Sequence, residues 1–491
     1  MAVKPAFTRR EFLGTIGASA AGAAVIGGCT LLDFPPGPLP PPEMTPDLER
    51  RLLNRITFGP TAAEIHAVNT LGYDGFLEQQ LAAEKIDDGD VDGRLFWLSS
   101  LGADVGNLAE RKSQDVKGEL LAATIIRAVH SKRQLFERMV EFWSDHFNVY
   151  HEKGPLRFLK TIDDREVIRR HALGNFRQLL RASAKSPAML VYLDNISNIA
   201  EAPNENYPRE LMELHSVSVN AGYSQQDVEE LARALTGWGV KEKGPQRGQF
   251  VFRSEEHDDG PKQIMGLSLP SGGGIGDGEQ VLDYLARHPS TARFIAEKLV
   301  RHFIAESAPA SVVDRVAGAF TSSDGDIPTT LRALFSKESM QMAEFKFKRP
   351  FHLIVGAARQ SGADVSVERG LVRPFEDMGH QPFQWQAPNG YPDVAEHWAP
   401  GLLNRWNFAT VFARSRSRGL AIDARQLAEV NGASTPDAVV ALWDQMFFAN
   451  AMPAAERQAI LDYVAAHPRD NNILYYESFA LSLASPSYQW H

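Results

Sequence analysis

Cysteine is nearly absent: Cys29 is the only one among 491 residues. A disulfide framework, a cysteine zinc site and an iron–sulfur cluster are therefore excluded, and with Cys29 itself occupied there is no thiolate nucleophile. A run long and apolar enough to span a bilayer is also lacking. The stretch from Phe12 to Gly28 is short and rich in Ala and Gly, whereas a spanning helix needs roughly 20 strongly apolar residues. Positive charge is in deficit, with a net charge of −10, so nucleic acid is a poor partner. There is no His-Glu-x-x-His and no Gly-x-Ser-x-Gly. Gly274-Ile275-Gly276-Asp277-Gly278 has no long strand before it and no Lys-Ser/Thr after it, so neither a dinucleotide fingerprint nor a phosphate loop is supported. Asp324-Gly325-Asp326 lacks the spacing and terminal Glu of a calcium loop and reads as a turn with a helix cap before Pro328.

What is present begins at the N-terminus. Thr8-Arg9-Arg10-Glu11-Phe12-Leu13-Gly14 precedes a mild apolar stretch from Ile16 to Ile26. A charged segment followed by a weakly apolar one is an export signal, and the Arg9, Arg10 pair resembles the twin-arginine consensus. Ile26-Gly27-Gly28-Cys29 resembles a lipobox. Six prolines between Pro35 and Pro42 follow, favouring an extended tether at about 3.1 Å per residue. The expectation is a signal over residues 1–28 and a lipidated Cys29 with its tether over 29–46. The partners this implies are the export machinery and a membrane reached through the lipid, with the protein in the periplasm or on the outer membrane. Losing the signal, with Lys4, Arg9, Arg10 and Glu11, takes the net charge from −10 to −12.

Beyond residue 47 helical patterning dominates. From Lys117 to Val149, Leu120, Leu121, Ile125, Val129, Leu135, Met139, Phe142 and Phe147 keep one broad face apolar, which predicts one or two long helices. Ser224-Gln225-Gln226-Asp227 is a near capping box with Gly237 as the later stop, and a further helix starts near Ser290 after Pro289. Only Gln249 to Arg253 and Gln263 to Leu269 read as short strands, as one small hairpin or a loop element. Ser271 to Gly278 reads as a flexible loop, and the aromatic-rich segment 376–400 as a long packed loop. The fold class predicted is mostly α: a multi-helix globular protein with a few short strands and long ordered loops, divided into a helical core over 47–350 and a C-terminal helical part over 351–491. A hydrophobic content of 44% over this length can supply two or three domains' worth of core.

Candidate chemistry concentrates in Asn204 to His215. With Pro208 in the first helical turn, Glu210 and Glu213 project from one face, where two carboxylates would divide acid and base roles or chelate a hard metal. The structural alternative has Glu210 on the helix dipole and Arg209 paired with Glu213. His146, closing an aromatic helix, and His215 are candidate metal ligands, or satisfied core histidines. His257 and Asp258, in a loop with turn chemistry, are candidate catalytic residues or a local Asx turn. A divalent metal is the one cofactor these residue types would suit, although their spacing does not bring them together.

Several stretches, in order along the chain, resemble one family. They are Leu52-Leu53-Asn54-Arg55-Ile56-Thr57-Phe58-Gly59-Pro60, Glu141-Phe142-Trp143-Ser144-Asp145-His146-Phe147, His171 to Phe176, Asn204 to His215 running on through Gly222-Tyr223 to Trp238, His257 to Lys262, and Ala484-Ser485-Pro486-Ser487-Tyr488-Gln489. The chain is similar to the bacterial domain-of-unknown-function 1800 family. The resemblance implies an exported protein, often encoded beside a second exported family that would be its partner, and carries over no catalytic residue. Pro208 departs from the small residue expected before Arg209. The first expectation is an envelope lipoprotein acting as a scaffold or binding protein with a co-exported partner. The second is an envelope hydrolase or metal-dependent enzyme using Glu and His in a helical cleft.

Overall fold

The computed structural model describes residues 41–42, 47–244, 247–368 and 370–491. Arg9, Arg10 and Cys29 lie outside these residues. The fold is mostly α, with strands confined to three two-stranded antiparallel sheets among the described residues. The long apolar pattern after Lys117 divides into two helices, Ser113–His130 and Gln134–His146, with Ser131 extended between them. The capping box at Ser224 and Asp227 starts the Gln225–Ala234 helix. Pro289 occupies the first turn of the Pro289–Phe303 helix, where its missing N–H costs nothing. Asp326 caps Ile327–Leu334 by accepting from the Thr329 amide.

Two local readings change. Gln263 to Leu269 is a hairpin, Lys262–Ile264 against Leu267–Leu269, turned by Met265 and Gly266, both with positive φ. Ser271 to Gly278 is not all loop: the Ile275–Arg287 helix begins inside it. Asp277, in its first turn, is fully buried against Lys262, 2.7 Å away.

Two hydrophobic cores organise the chain. The larger runs from Leu52 to Met340 and includes Leu135, Met139, Phe142 and Trp143 from the Gln134–His146 helix. The second joins Phe351, Ile354 and Ala358 of the Pro350–Ser361 helix to the C-terminal helices, and also takes in Val91, Ile125 and Val129 from the N-terminal half. Polar faces of Gln134–His146 and Pro350–Ser361 meet where these cores adjoin. The segment 376–400 packs across this junction, with Phe383, Tyr391 and Trp398 buried. Its approach is close: a Cβ on Gly390 (φ +75°) would stand 2.1 Å from the Asp145 carbonyl, so only glycine fits.

Candidate functional site

At the junction lies a buried ionic cluster. Arg349, 2% exposed, donates to Asp145 Oδ2 at 2.7 Å and to Glu141 Oε1. Arg138 donates to Glu141 Oε2 at 3.1 Å. His352 Nε2 is 2.8 and 2.9 Å from the two Glu141 oxygens and 2.5 Å from Arg138 Nη1. Burial opposes ionisation of Glu141 but is outweighed by His352, Arg349 and Arg138, which hold the carboxyl well below its usual range. His352 is neutral, pulled down to about 3 by burial and then by Arg138. Asp145 is pushed up to about 6 by burial in spite of Arg349; its side chain keeps 24% exposure, which limits how far burial acts. Beside this group, Lys346 and His302 flank Asp393 at 3.4 and 3.2 Å.

A cavity of about 230 Å³ opens on one side of His352. Two backbone segments build its floor. Residues 346–348 and 489–491 run antiparallel, with Lys348 N donating to Gln489 O at 2.7 Å and Lys346 exchanging two hydrogen bonds of 3.0 Å with His491. This pairing sets Lys348, Tyr488 and His491 around one space, and the end of the Leu48–Ile56 helix closes it with Asn54, Thr57 and Phe58. Gly59 and Gly356 allow that closure: a Cβ on Gly356 would meet the Phe58 carbonyl at 2.7 Å. His491 Nδ1 lies 3.0 Å from the Asn54 carbonyl, which can only accept, so Nδ1 is protonated and Nε2 keeps its lone pair. Tyr488 donates its hydroxyl to Gln360 at 2.8 Å.

Lys348 is the unusual group. It is 9% exposed, lines the cavity, and has its ammonium 3.6 Å from the Tyr488 ring centroid. Burial, and then Arg405, pull its amine down to about 7. An amine at that value is a competent base or nucleophile at neutral pH.

The residues chosen from the sequence stand elsewhere. His146 and His215 do come together, with ring centroids 6.0 Å apart. However, His146 Nδ1 faces Lys298 Nζ at 2.8 Å and Nε2 faces the His215 carbonyl at 3.2 Å. An ammonium only donates and a carbonyl only accepts, so both ring nitrogens are committed and neither is left for a metal. Among the described residues, no group of three or more His, Cys, Asp or Glu is arranged to hold a metal ion. His215 is fully buried, pulled down to about 3 by burial and then by Lys298, and neither ring nitrogen has a partner.

Glu210 and Glu213 lie on the Asn206–Glu213 helix, where Arg209 stands between Glu205 at 2.8 Å and Glu213 at 3.7 Å. Glu210 is in the middle of that helix rather than in its first turn, and its carboxyl is raised by burial and then by Glu213. His257 is clamped by Thr236, with Nδ1 2.9 Å from the carbonyl, and by Asp277 at 3.4 Å. Asp258 takes a two-point hydrogen bond from Arg233, at 2.7 and 3.1 Å, which draws its carboxyl down to about 2. None of these six residues lines the cavity.

Glu141, Lys348, Arg349, His352 and His491 were not singled out by sequence reasoning. One signal was there: in Lys346-Phe347-Lys348-Arg349, basic residues interleave with an aromatic immediately before the helix-starting Pro350. Two of the stretches that carry the family resemblance, Leu52 to Pro60 and Ala484 to Gln489, contribute directly to the cavity wall, and Glu141 to Phe147 supplies the carboxylate behind it. No curated protein and no solved structure matches the chain. A family model described as Protein of unknown function (DUF1800) matches residues 51–490, and the chain belongs to that family.

Proposed function

We propose that the protein is an exported, lipid-anchored envelope protein that takes a small molecule into the cavity beside Lys348 and acts on it by acid–base or nucleophilic chemistry. The observation that carries this reading is the Lys348 amine: buried, facing a concave and largely apolar space, with its proton held loosely enough to leave near neutral pH. Lys348 is the group that exchanges a proton with the bound molecule or attacks it. His491 offers an unprotonated Nε2 on the same wall, and the Glu141–His352 pair fixes the wall's back. Export and lipidation rest on the Arg9, Arg10 pair and on Cys29 in its lipobox.

The test is competitive acetylation of the amines over pH 5 to 11, read by peptide mass spectrometry. Lys348 is expected to titrate about 3 units below exposed lysines, which ionise near 10.4. A Lys348 profile that coincides with those of exposed lysines would remove the reading.

One observation favours the scaffold alternative. Phe96 and Trp97 stack edge to face with centroids 5.1 Å apart while 73% and 81% exposed, the kind of aromatic pair that marks an interaction surface. The check is co-purification of the co-exported partner with wild type and with a Phe96→Ser, Trp97→Ser variant; equal recovery would discard that surface.

A further inference from the structure

The ligand class follows from what surrounds Lys348, on the premise that the cavity is the working site. Its ammonium has three N–H donors and accepts no hydrogen bond; it lines the cavity and rests over the π face of Tyr488. An ammonium that faces the cavity keeps donors for a ligand's acceptor, and a carboxylate there makes a charge-assisted hydrogen bond. Among the described residues, no side-chain carboxylate of the wall is free to do so. Asp47, the one acidic side chain on the lining among the described residues, already accepts from the Arg50 amide at 2.8 Å and lies 3.7 Å from the Arg50 guanidinium. Glu141 is spent on Arg349, Arg138 and His352 behind the wall.

We propose that the cavity binds a small monocarboxylate with an aromatic or aliphatic body, its carboxylate seated on the Lys348 ammonium. The body is set by the other walls, where Phe58, Phe447, Phe448 and Trp490 leave an apolar space. Size agrees, since a cavity of about 150 Å³ accepts benzene and this one is about 230 Å³. A single negative charge is set by the electrostatics. Among the described residues, the buried cation inside the cavity is one ammonium, because both neighbouring imidazoles are held neutral by burial. A phosphate dianion calls for a guanidinium fork or several converging donors, and the one arginine on the lining, Arg50, stands half-exposed beside Asp47. Seating a carboxylate on Lys348 favours the protonated amine, so binding takes up a proton when the free amine is partly neutral.

The experiment is calorimetric titration of the full-length Cys29→Ser protein at pH 8 with benzoate, benzyl alcohol and inorganic phosphate, in two buffers of different ionisation enthalpy. Benzoate is expected to bind with uptake of most of one proton and to weaken as pH rises to 10. Lys348→Met should weaken benzoate at least tenfold while leaving benzyl alcohol unchanged. Lys348→Arg should keep benzoate binding and lose the proton uptake, which separates the charge from the fold. Benzyl alcohol binding as tightly as benzoate, or benzoate binding that ignores Lys348→Met, overturns the carboxylate assignment and leaves the cavity in place. Phosphate competing with benzoate at equal strength also overturns the monocarboxylate. If neither benzoate nor benzyl alcohol binds, the cavity reading falls with it.

Discussion

Replacing Arg349 by Met tests whether the ionic junction holds the two cores together. The guanidinium is 2% exposed and serves two carboxyls, Glu141 and Asp145. Removing one partner from a buried pair costs about 3 to 5 kcal/mol, because the other charge is left without compensation. Glu141 would keep Arg138 and His352, so the larger share falls on Asp145. That carboxyl already titrates near 6 with Arg349 in place, against an unfolded value of about 3.9. Its folded value is the higher of the two, so the folded state binds more protons between these pH values and stability falls as pH rises through that window. Without Arg349 the window extends upward, and protonation of Asp145 caps the loss at acidic pH. The expected result for the Cys29→Ser form is a loss of about 3 to 5 kcal/mol at pH 7.5 and a distinctly smaller one at pH 5.5. Urea denaturation followed by tryptophan fluorescence measures both. A loss under about 1 kcal/mol at pH 7.5, the size of an exposed ion pair, or an equal loss at both pH values, would refute the reasoning.

Four further outcomes are expected. Changing Arg9 and Arg10 together to Lys should leave precursor in the cytoplasm; normal export in a fractionation experiment would sink the twin-arginine assignment. Cys29→Ser should move the protein from the membrane pellet to the soluble fraction, and a variant that still pellets would owe its anchoring to something else. Gly390→Ala forces a Cβ against the Asp145 carbonyl at positive φ and should cost about 2 kcal/mol or more, which a melting curve unchanged within a degree would contradict. Burial and Glu213 raise the Glu210 carboxyl, so its ionisation opposes folding at neutral pH. Glu210→Gln should therefore melt slightly higher than wild type at pH 7.5 and converge with it near pH 4; a variant that melts lower at pH 7.5 would show that the carboxylate is stabilising.

Helices whose signals are local were legible. Ser224 and Asp227 form the capping box their spacing implies, Pro289 starts its helix, and the apolar face after Lys117 is buried. Each depends on neighbours within one or two turns, which a sequence displays directly. Ser271 to Gly278 misled because its glycines advertise flexibility, whereas a distant partner decides the outcome. Lys262 and His257 pull Asp277 into a dry contact, and the helix starts two residues ahead of it. Likewise Gln263 to Leu269 turns back on itself at Met265, where a non-glycine residue adopts the left-handed region. Propensity alone argues against that conformation at methionine.

The site failed to show for a different reason. Sequence reasoning looked for chemistry where polar residues are dense, at Asn204 to His215 and His257 to Asp259, and there the polar groups mostly satisfy one another: Arg209 with Glu205, Arg233 with Asp258, His257 with Thr236. Dense polar sequence supplies its own partners. The groups with capacity left over come from positions far apart in the chain, Lys348 between Phe347 and Arg349, and His491 beside Trp490. Neither neighbour of Lys348 in sequence carries a carboxylate, so the local chain supplies it no ionic partner once the fold closes. A basic and aromatic run without a carboxylate is therefore a better pointer to a site here than a run of glutamates, and the antiparallel pairing of 346–348 with 489–491 sets it on the cavity.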